Sequence, residues 1–162
     1  MKRLTVEQLL TVAKDAILST YYCFLITISE SGVPNARLMQ PYEPEDDLTV
    51  FLGSSPQSRK VSELQGNNRA SLAYHSLREN AYVTMIGTAS IENDVATRQK
   101  YWRDEWKIFF PGGPLSGDYT LVRFAPCRIE VMNLARNIYQ QPYGLRPCIL
   151  VRENDTWVAS EY

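Results

Sequence analysis

Residues 48–64 read LTVFLGSSPQSRKVSEL. A β-branched and aromatic run ends at Gly53. Two serines and a proline follow, and then Ser58, Arg59 and Lys60 stand side by side where a helix begins. Pro56 suits the first helical position with Ser55 before it as cap, and Val61 and Leu64 give the helix an apolar side. The start of a helix is its positive end, so two adjacent cations are disfavoured there unless an anion sits between them and the free backbone N–H groups. Arg can bind two phosphate oxygens at once and Lys adds a point charge. The plainer alternative is a solvated helix start in which Arg59 pairs with Glu63 at i,i+4.

Outward from this stretch the chain is mostly strand. YYCFLITI at 21–28 is short, continuously apolar and rich in β-formers, so it reads as a buried strand. SESG turns it into VPNARLMQPY, making a hairpin. DLTVFL at 47–52 is the third strand, after the acidic turn EPEDD. RASLAYH and AYVTMIGTASI are the fourth and fifth, and YTLVRFAPCRIEVMN is one long strand or two broken near Pro126. PCILVRE and TWVAS are candidate final strands. Helices are few. One follows the capping box Thr5–Gln8, with Val6, Leu9, Leu10, Ala13 and Ile17 at helical spacing. A second is expected from about Asn93 to Lys107, with Val95, Trp102 and Trp106 on one side. Six or seven strands without βαβ alternation predict a mainly β domain, an antiparallel barrel or sandwich with flanking helices.

The 162 residues predict a single domain, 1–162, and a hydrophobic content of 44% against 22% charged is ordinary for a globular chain. A net charge of −1 leaves no basic footprint for nucleic acid. Cys23, Cys127 and Cys148 are odd in number and widely separated, which fits a reducing cytoplasm and excludes a disulfide framework or thiolate zinc site. The start MKRLTVEQLL, interrupted by Glu7 and Gln8, reads as neither signal peptide nor membrane span. His75 is the sole histidine, so neither HExxH nor any other two-histidine metal spacing can be made. Ending a strand before a polar loop, it reads as solvent-facing.

A further cation lies in NARLMQ, where Arg37 and Met39 share one strand face while Ala36, Leu38 and Gln40 share the other. Arg37, Arg59 and Lys60 could converge on one phosphate if the 34–42 and 48–52 strands are neighbours, and their short acidic connection makes them so in many topologies.

The order of these motifs (an Arg-bearing strand, LTVFLGSSPQSRKVSEL, NRASLAYH, AYVTMIGTASI, and then YWRDEWKIFF running into PGGPLSGDYTLVRFAPCRIEV) resembles the FMN-binding split-barrel family of pyridoxamine 5′-phosphate oxidase-like proteins, in particular its general-stress-protein branch. The resemblance spans about residues 5–133 and implies a split β-barrel that binds FMN at a homodimer interface. It assigns the phosphate to Arg37, Ser58, Arg59 and Lys60, with Ser54 and Ser55 nearby. The isoalloxazine ring is assigned to Leu38, Met39 and Gln40 on one strand and Phe51, Leu52 and Gly53 on the next, Gly53 allowing close backbone approach. Tyr82, and Trp106 or Phe110, are candidates to cover the ring from the partner subunit. The chain ends CILVRENDTWVASEY, without the Arg- and His-bearing segment that grips the substrate phosphate in true pyridoxamine 5′-phosphate oxidases. The resemblance therefore implies an FMN-dependent oxidoreductase acting on another small molecule, in the cytoplasm. Its alternatives are a non-catalytic flavin-binding or stress-response protein, or a split barrel using haem or deazaflavin.

Overall fold

The structure, a computed structural model, describes residues 4–140 and 146–160. Parts of the expected N-terminal and closing segments, 1–3, 141–145 and 161–162, lie outside the described residues. Helix α1 (Val6–Leu18) starts at Thr5, whose hydroxyl accepts the Gln8 N–H while the Gln8 side chain accepts the Thr5 N–H. This reciprocal cap satisfies two donors that the first turn would otherwise leave unpaired. Leu9, Val12, Ala13, Ala16 and Ile17 form its buried stripe, each large aliphatic contributing roughly 1.5–3 kcal/mol on leaving water. The stripe packs against β4 (Arg69–Ser76) and β5 (Ala81–Glu92).

The sheet is antiparallel and open, ordered β2 (Pro34–Met39), β1 (Cys23–Ile28), β4, β5, β6 (Thr120–Asn133), β7 (Cys148–Glu153) and β8 (Thr156–Ser160), with β3 (Val50–Ser54) paired to β6. The described residues form eight strands, against the six or seven expected. Asn154 and Asp155 both take left-handed backbone, φ 46° and 63°, the pattern of a two-residue hairpin turn, and this turn folds the chain end into the β7–β8 pair. Arg136 ties the approach to that hairpin down, with ion pairs to Asp15 of α1 at 2.7 Å and Glu79 at 2.8 Å.

β6 organises the barrel. One edge runs along β5, while the other receives β3 at residues 120–124 and β7 at 128–131. The division falls around Pro126, which has no N–H to donate. The strand continues through it with a bulge of its own: the consecutive Ile86 and Gly87 of β5 face Arg128 and Pro126, which leaves Cys127 as the extra residue on β6. A Cβ on Gly87 would sit 2.1 Å from the Ala125 carbonyl oxygen, so only glycine fits. Gly87→Ala is expected to lower unfolding free energy by at least about 1–3 kcal/mol, measured by urea denaturation; an unchanged midpoint would contradict this contact. The end of β2 reaches β3 through a single bridge, Pro41 to Leu52, and the sheet stays unclosed.

The main core lies between α1 and the inner sheet face, around Leu25, Val50, Leu52, Leu72, Met85, Phe124 and Leu150. A second cluster of Phe51, Tyr101, Trp106, Tyr119 and Leu121 covers the other side of β3. The single helix expected over 93–107 is two pieces, α3 (Val95–Lys100) and a short 3-10 helix (Asp104–Ile108). Arg103 is extended between them, φ −121° and ψ 128°, because Trp102 and Trp106 must both turn inward onto this cluster. Val95 stays exposed. Among the described residues no helix is long and apolar enough to cross a membrane.

Candidate cofactor site

Helix α2 (Arg59–Gly66) begins at Arg59 with Ser58 as its N-cap residue, three residues later than Ser55 and Pro56 suggested. The Ser58 N–H bonds the Ser55 carbonyl at 3.1 Å, so Pro56 and Gln57 form a turn ahead of the helix. Ser58 supplies no side-chain cap; its hydroxyl instead pairs with the Ser54 hydroxyl at 3.0 Å. The backbone N–H groups of Arg59 and Lys60 find no acceptor among the described residues. Lys60 points back, its Nζ 3.1 Å from Ser54 Oγ, with no carboxylate paired to it among the described residues. Two free amides, two hydroxyls and an ammonium therefore gather at the mouth of α2.

Glu63 sits beneath them. Its carboxylate is buried and accepts from Arg37 Nη2 at 2.9 Å, from Asn35 Nδ2 at 2.7 Å and from the Thr27 hydroxyl. Arg59 Nε lies 3.4 Å away, its side chain 70% exposed, so the i,i+4 pair that was the plainer alternative for this stretch does form. Arg37 is held further by Thr27 Oγ1 and the Leu25 carbonyl. Burial pushes the Glu63 carboxyl up, but the hydrogen bonds from Thr27 and Arg37 and the charges of Arg37 and Arg59 outweigh it, holding it below the ordinary glutamate value. Burial lowers Lys60, and the neighbouring Arg37 charge lowers it further. Arg37 and Arg59 share the Glu63 carboxylate while Lys60 stands apart from it, so three cations against one carboxylate leave a net charge of +2 facing an incoming anion.

The ring-side candidates are distributed differently. Leu38 is exposed on the outer face of β2, across from exposed Phe24. Met39 is half-buried against the main core. Gln40 is fixed by two bonds: its Nε2 donates to the Tyr21 hydroxyl and its Oε1 accepts from Trp106 Nε1 at 3.3 Å. Phe51 is buried and stacked on Tyr101, centroids 4.1 Å apart; Leu52 is fully buried on the opposite side. Both can offer a ligand only backbone. Gly53 makes room for Trp106, since a Cβ there would lie 2.2 Å from the indole ring. Phe110 packs beside Trp106 in the aromatic cluster. Tyr82 lies on β5, three strands from β2, so within one chain it is apart from Arg37 and Lys60. His75 is exposed near the end of β4.

Sequence reasoning missed Glu63 as the partner of Arg37, and with it Thr27 and Asn35. A charge on the apolar side of α2, next to Leu64, was the available signal. It also missed the Gln40–Trp106 bond, which joins segments 66 residues apart.

An open antiparallel barrel split at β6, with a cationic helix mouth after β3, defines the class as a split-barrel protein. The sequence pattern of the family described as "Pyridoxamine 5′-phosphate oxidase like" matches residues 6–138, and the chain belongs to that family. It is 25% identical over 107 residues to General stress protein 26 of Bacillus subtilis (strain 168), covering 64% of this chain and 74% of that one. Its fold is similar to the crystal structure of a general stress protein 26-related protein from Clostridium acetobutylicum, with a TM-score of 0.70 at 23% identity over 82% of this chain and 92% of that one. It is also similar to a pyridoxamine 5′-phosphate oxidase-related, FMN-binding protein from Nostoc punctiforme PCC 73102, with a TM-score of 0.69 at 14% identity, covering 96% and 93%.

Proposed function

We propose that this chain binds flavin mononucleotide, with its phosphate at the mouth of α2, and serves as a flavin-dependent oxidoreductase for a small molecule. The observation that carries the reading is Lys60: a desolvated ammonium without a carboxylate partner among the described residues, beside two free backbone N–H groups and the Ser54 and Ser58 hydroxyls. That donor set fits a phosphate dianion. Arg37, kept in place by Glu63, adds positive charge from β2 without being spent on the ligand, while exposed Arg59 can swing onto a phosphate oxygen. When bound, the flavin ring supplies the electron or hydride chemistry, and the protein supplies orientation and local charge. Gln40, clamped between Tyr21 and Trp106, is the side chain that offers a fixed amide toward the ring.

The dimer belongs to the same proposal. Tyr22, Phe24, Val33 and Leu38 are exposed around the β1–β2 hairpin, an apolar surface of the kind that a second subunit covers. A second chain there would bring Tyr82 and other outer-face residues to a site that one chain leaves open.

Equilibrium dialysis of purified protein against FMN and against riboflavin tests the phosphate grip. One FMN per chain is expected, with riboflavin at least about a hundredfold weaker because it lacks the charge-assisted bonds. Equal affinities would remove the helix mouth from the reading. Anaerobic stopped flow with NADPH separates enzyme from carrier: a bound flavin never reduced at a useful rate sinks the oxidoreductase assignment. Sedimentation as a monomer at micromolar concentration would sink the dimer.

A further inference from the structure

Gln40 follows β2 directly, and the way its amide is held decides which end of it a ligand meets. The bridge from Pro41 to Leu52 is antiparallel, and continuing its register sets Gln40 across from Gly53, the residue before Ser54 at the mouth of α2. The space that a Cβ on Gly53 would fill belongs to the Trp106 indole. The same indole donates its Nε1–H to Gln40 Oε1 at 3.3 Å. Trp106 is buried and packs edge-on or tilted against Tyr42, Trp102, Phe110 and Tyr119, so its ring is held in place.

An indole nitrogen donates and does not accept. The Gln40 amide must therefore turn its oxygen to Trp106, because the reverse orientation would set two donors against each other. Tyr21 could not decide this, since a phenol hydroxyl donates and accepts alike. Its hydroxyl takes one of the two Gln40 Nε2 hydrogens. The other has no acceptor among the described residues. Gln40 is half-buried, so a ligand that closes over it must accept that hydrogen or leave it unsatisfied at a cost.

We propose that Trp106 is a positioning residue that fixes Gln40 as a hydrogen-bond donor, so that its remaining Nε2–H meets an acceptor atom of the flavin ring and raises the reduction potential of the bound flavin. This rests on the flavin reading above. Full reduction takes two electrons from an external reductant and, near neutral pH, one proton from solvent, which leaves one negative charge on the ring. A donor bonds a charged acceptor more strongly than a neutral one. The contact is expected to favour reduced over oxidised flavin about tenfold, which is about 30 mV for a two-electron couple.

The test has one arm without ligand and one with FMN, both on the full chain. In proton–nitrogen NMR of the ligand-free protein, the Trp106 indole N–H resonance is expected to move upfield in Gln40→Leu. It should stay downfield in Gln40→Glu, whose carboxylate still accepts. An indole resonance unmoved in Gln40→Leu overturns the fixed amide. In the second arm, dithionite titration against a reference dye gives the midpoint potential of bound FMN. Trp106→Phe keeps a ring over Gly53 and removes only the donor that orients the amide. It and Gln40→Leu are each expected to lower the potential by about 30 mV, with FMN affinity kept within about fivefold because the phosphate grip is untouched. Tyr21→Phe, which leaves the Trp106 bond in place, should leave the potential unchanged. A merely structural Trp106 would lower the melting temperature without moving the potential. Bound FMN with one potential in the parent, Trp106→Phe and Gln40→Leu overturns the proposal and spares the flavin reading. A parent that binds no FMN overturns both.

Discussion

Replacing Arg59 and Lys60 together by alanine lowers FMN affinity at least about a hundredfold and leaves the ligand-free chain as stable as the parent. The first half follows from two charge-assisted contacts, each contributing roughly 1.5–3 kcal/mol, at about 1.4 kcal/mol per tenfold in affinity. The second half follows from where the charges sit. Lys60 has its folded value lowered by burial and by Arg37. A lysine lowered in this way costs the folded state stability wherever it is charged, throughout neutral pH, and the cost fades only at alkaline pH. Arg59 is 70% exposed and holds Glu63 at a loose 3.4 Å, an arrangement of small net value. Removing both therefore sacrifices binding and little else. Flavin titration of the variant alongside urea denaturation measures the two halves separately. A variant that binds FMN as the parent does would displace the phosphate from the mouth of α2.

Glu63→Gln has the opposite profile, with a large effect on stability. Removing one member of a buried ion pair strands the other, at a cost of about 3–5 kcal/mol. With the Arg37 side chain 18% exposed, about 3 kcal/mol is expected. Glu63 is held below the ordinary glutamate value. Its contribution is fully present above that ordinary value and is lost as pH falls through the lower, folded value. The gap between parent and variant should therefore be widest near pH 7 and close in acid. Urea denaturation at both ends of that range measures it, and a gap that does not change with pH would show that Glu63 acts by packing and not by charge.

Much of the fold was legible because its causes are local. The Thr5–Gln8 box, the apolar β-forming run at 21–28 and the SESG turn after it each act within a few positions. Glu63 shows where legibility stopped. Its partner Arg37 lies 26 residues earlier, on a strand brought to α2 by its pairing with β1. The strands at 34–42 and 48–52, read as neighbours, touch through one bridge alone; Arg37 instead approaches α2 beside β1, through Thr27. The start of α2 was misplaced for a smaller reason. Pro56 is as compatible with a turn as with a first helical residue, and the Ser54–Ser58 hydroxyl pair that favours the turn is a tertiary detail. The helix expected over 93–107 failed because apolar spacing cannot distinguish one helix from two short pieces that turn two tryptophans toward the same cluster.

Trp106 resting on Gly53 carries an implication for sequence variation. The two positions share one volume: an indole at 106 forbids even a methyl group at 53, and a smaller residue at 106 would release that prohibition. Substitutions at these positions should therefore be tolerated as pairs and rejected singly, although 53 residues separate them along the chain.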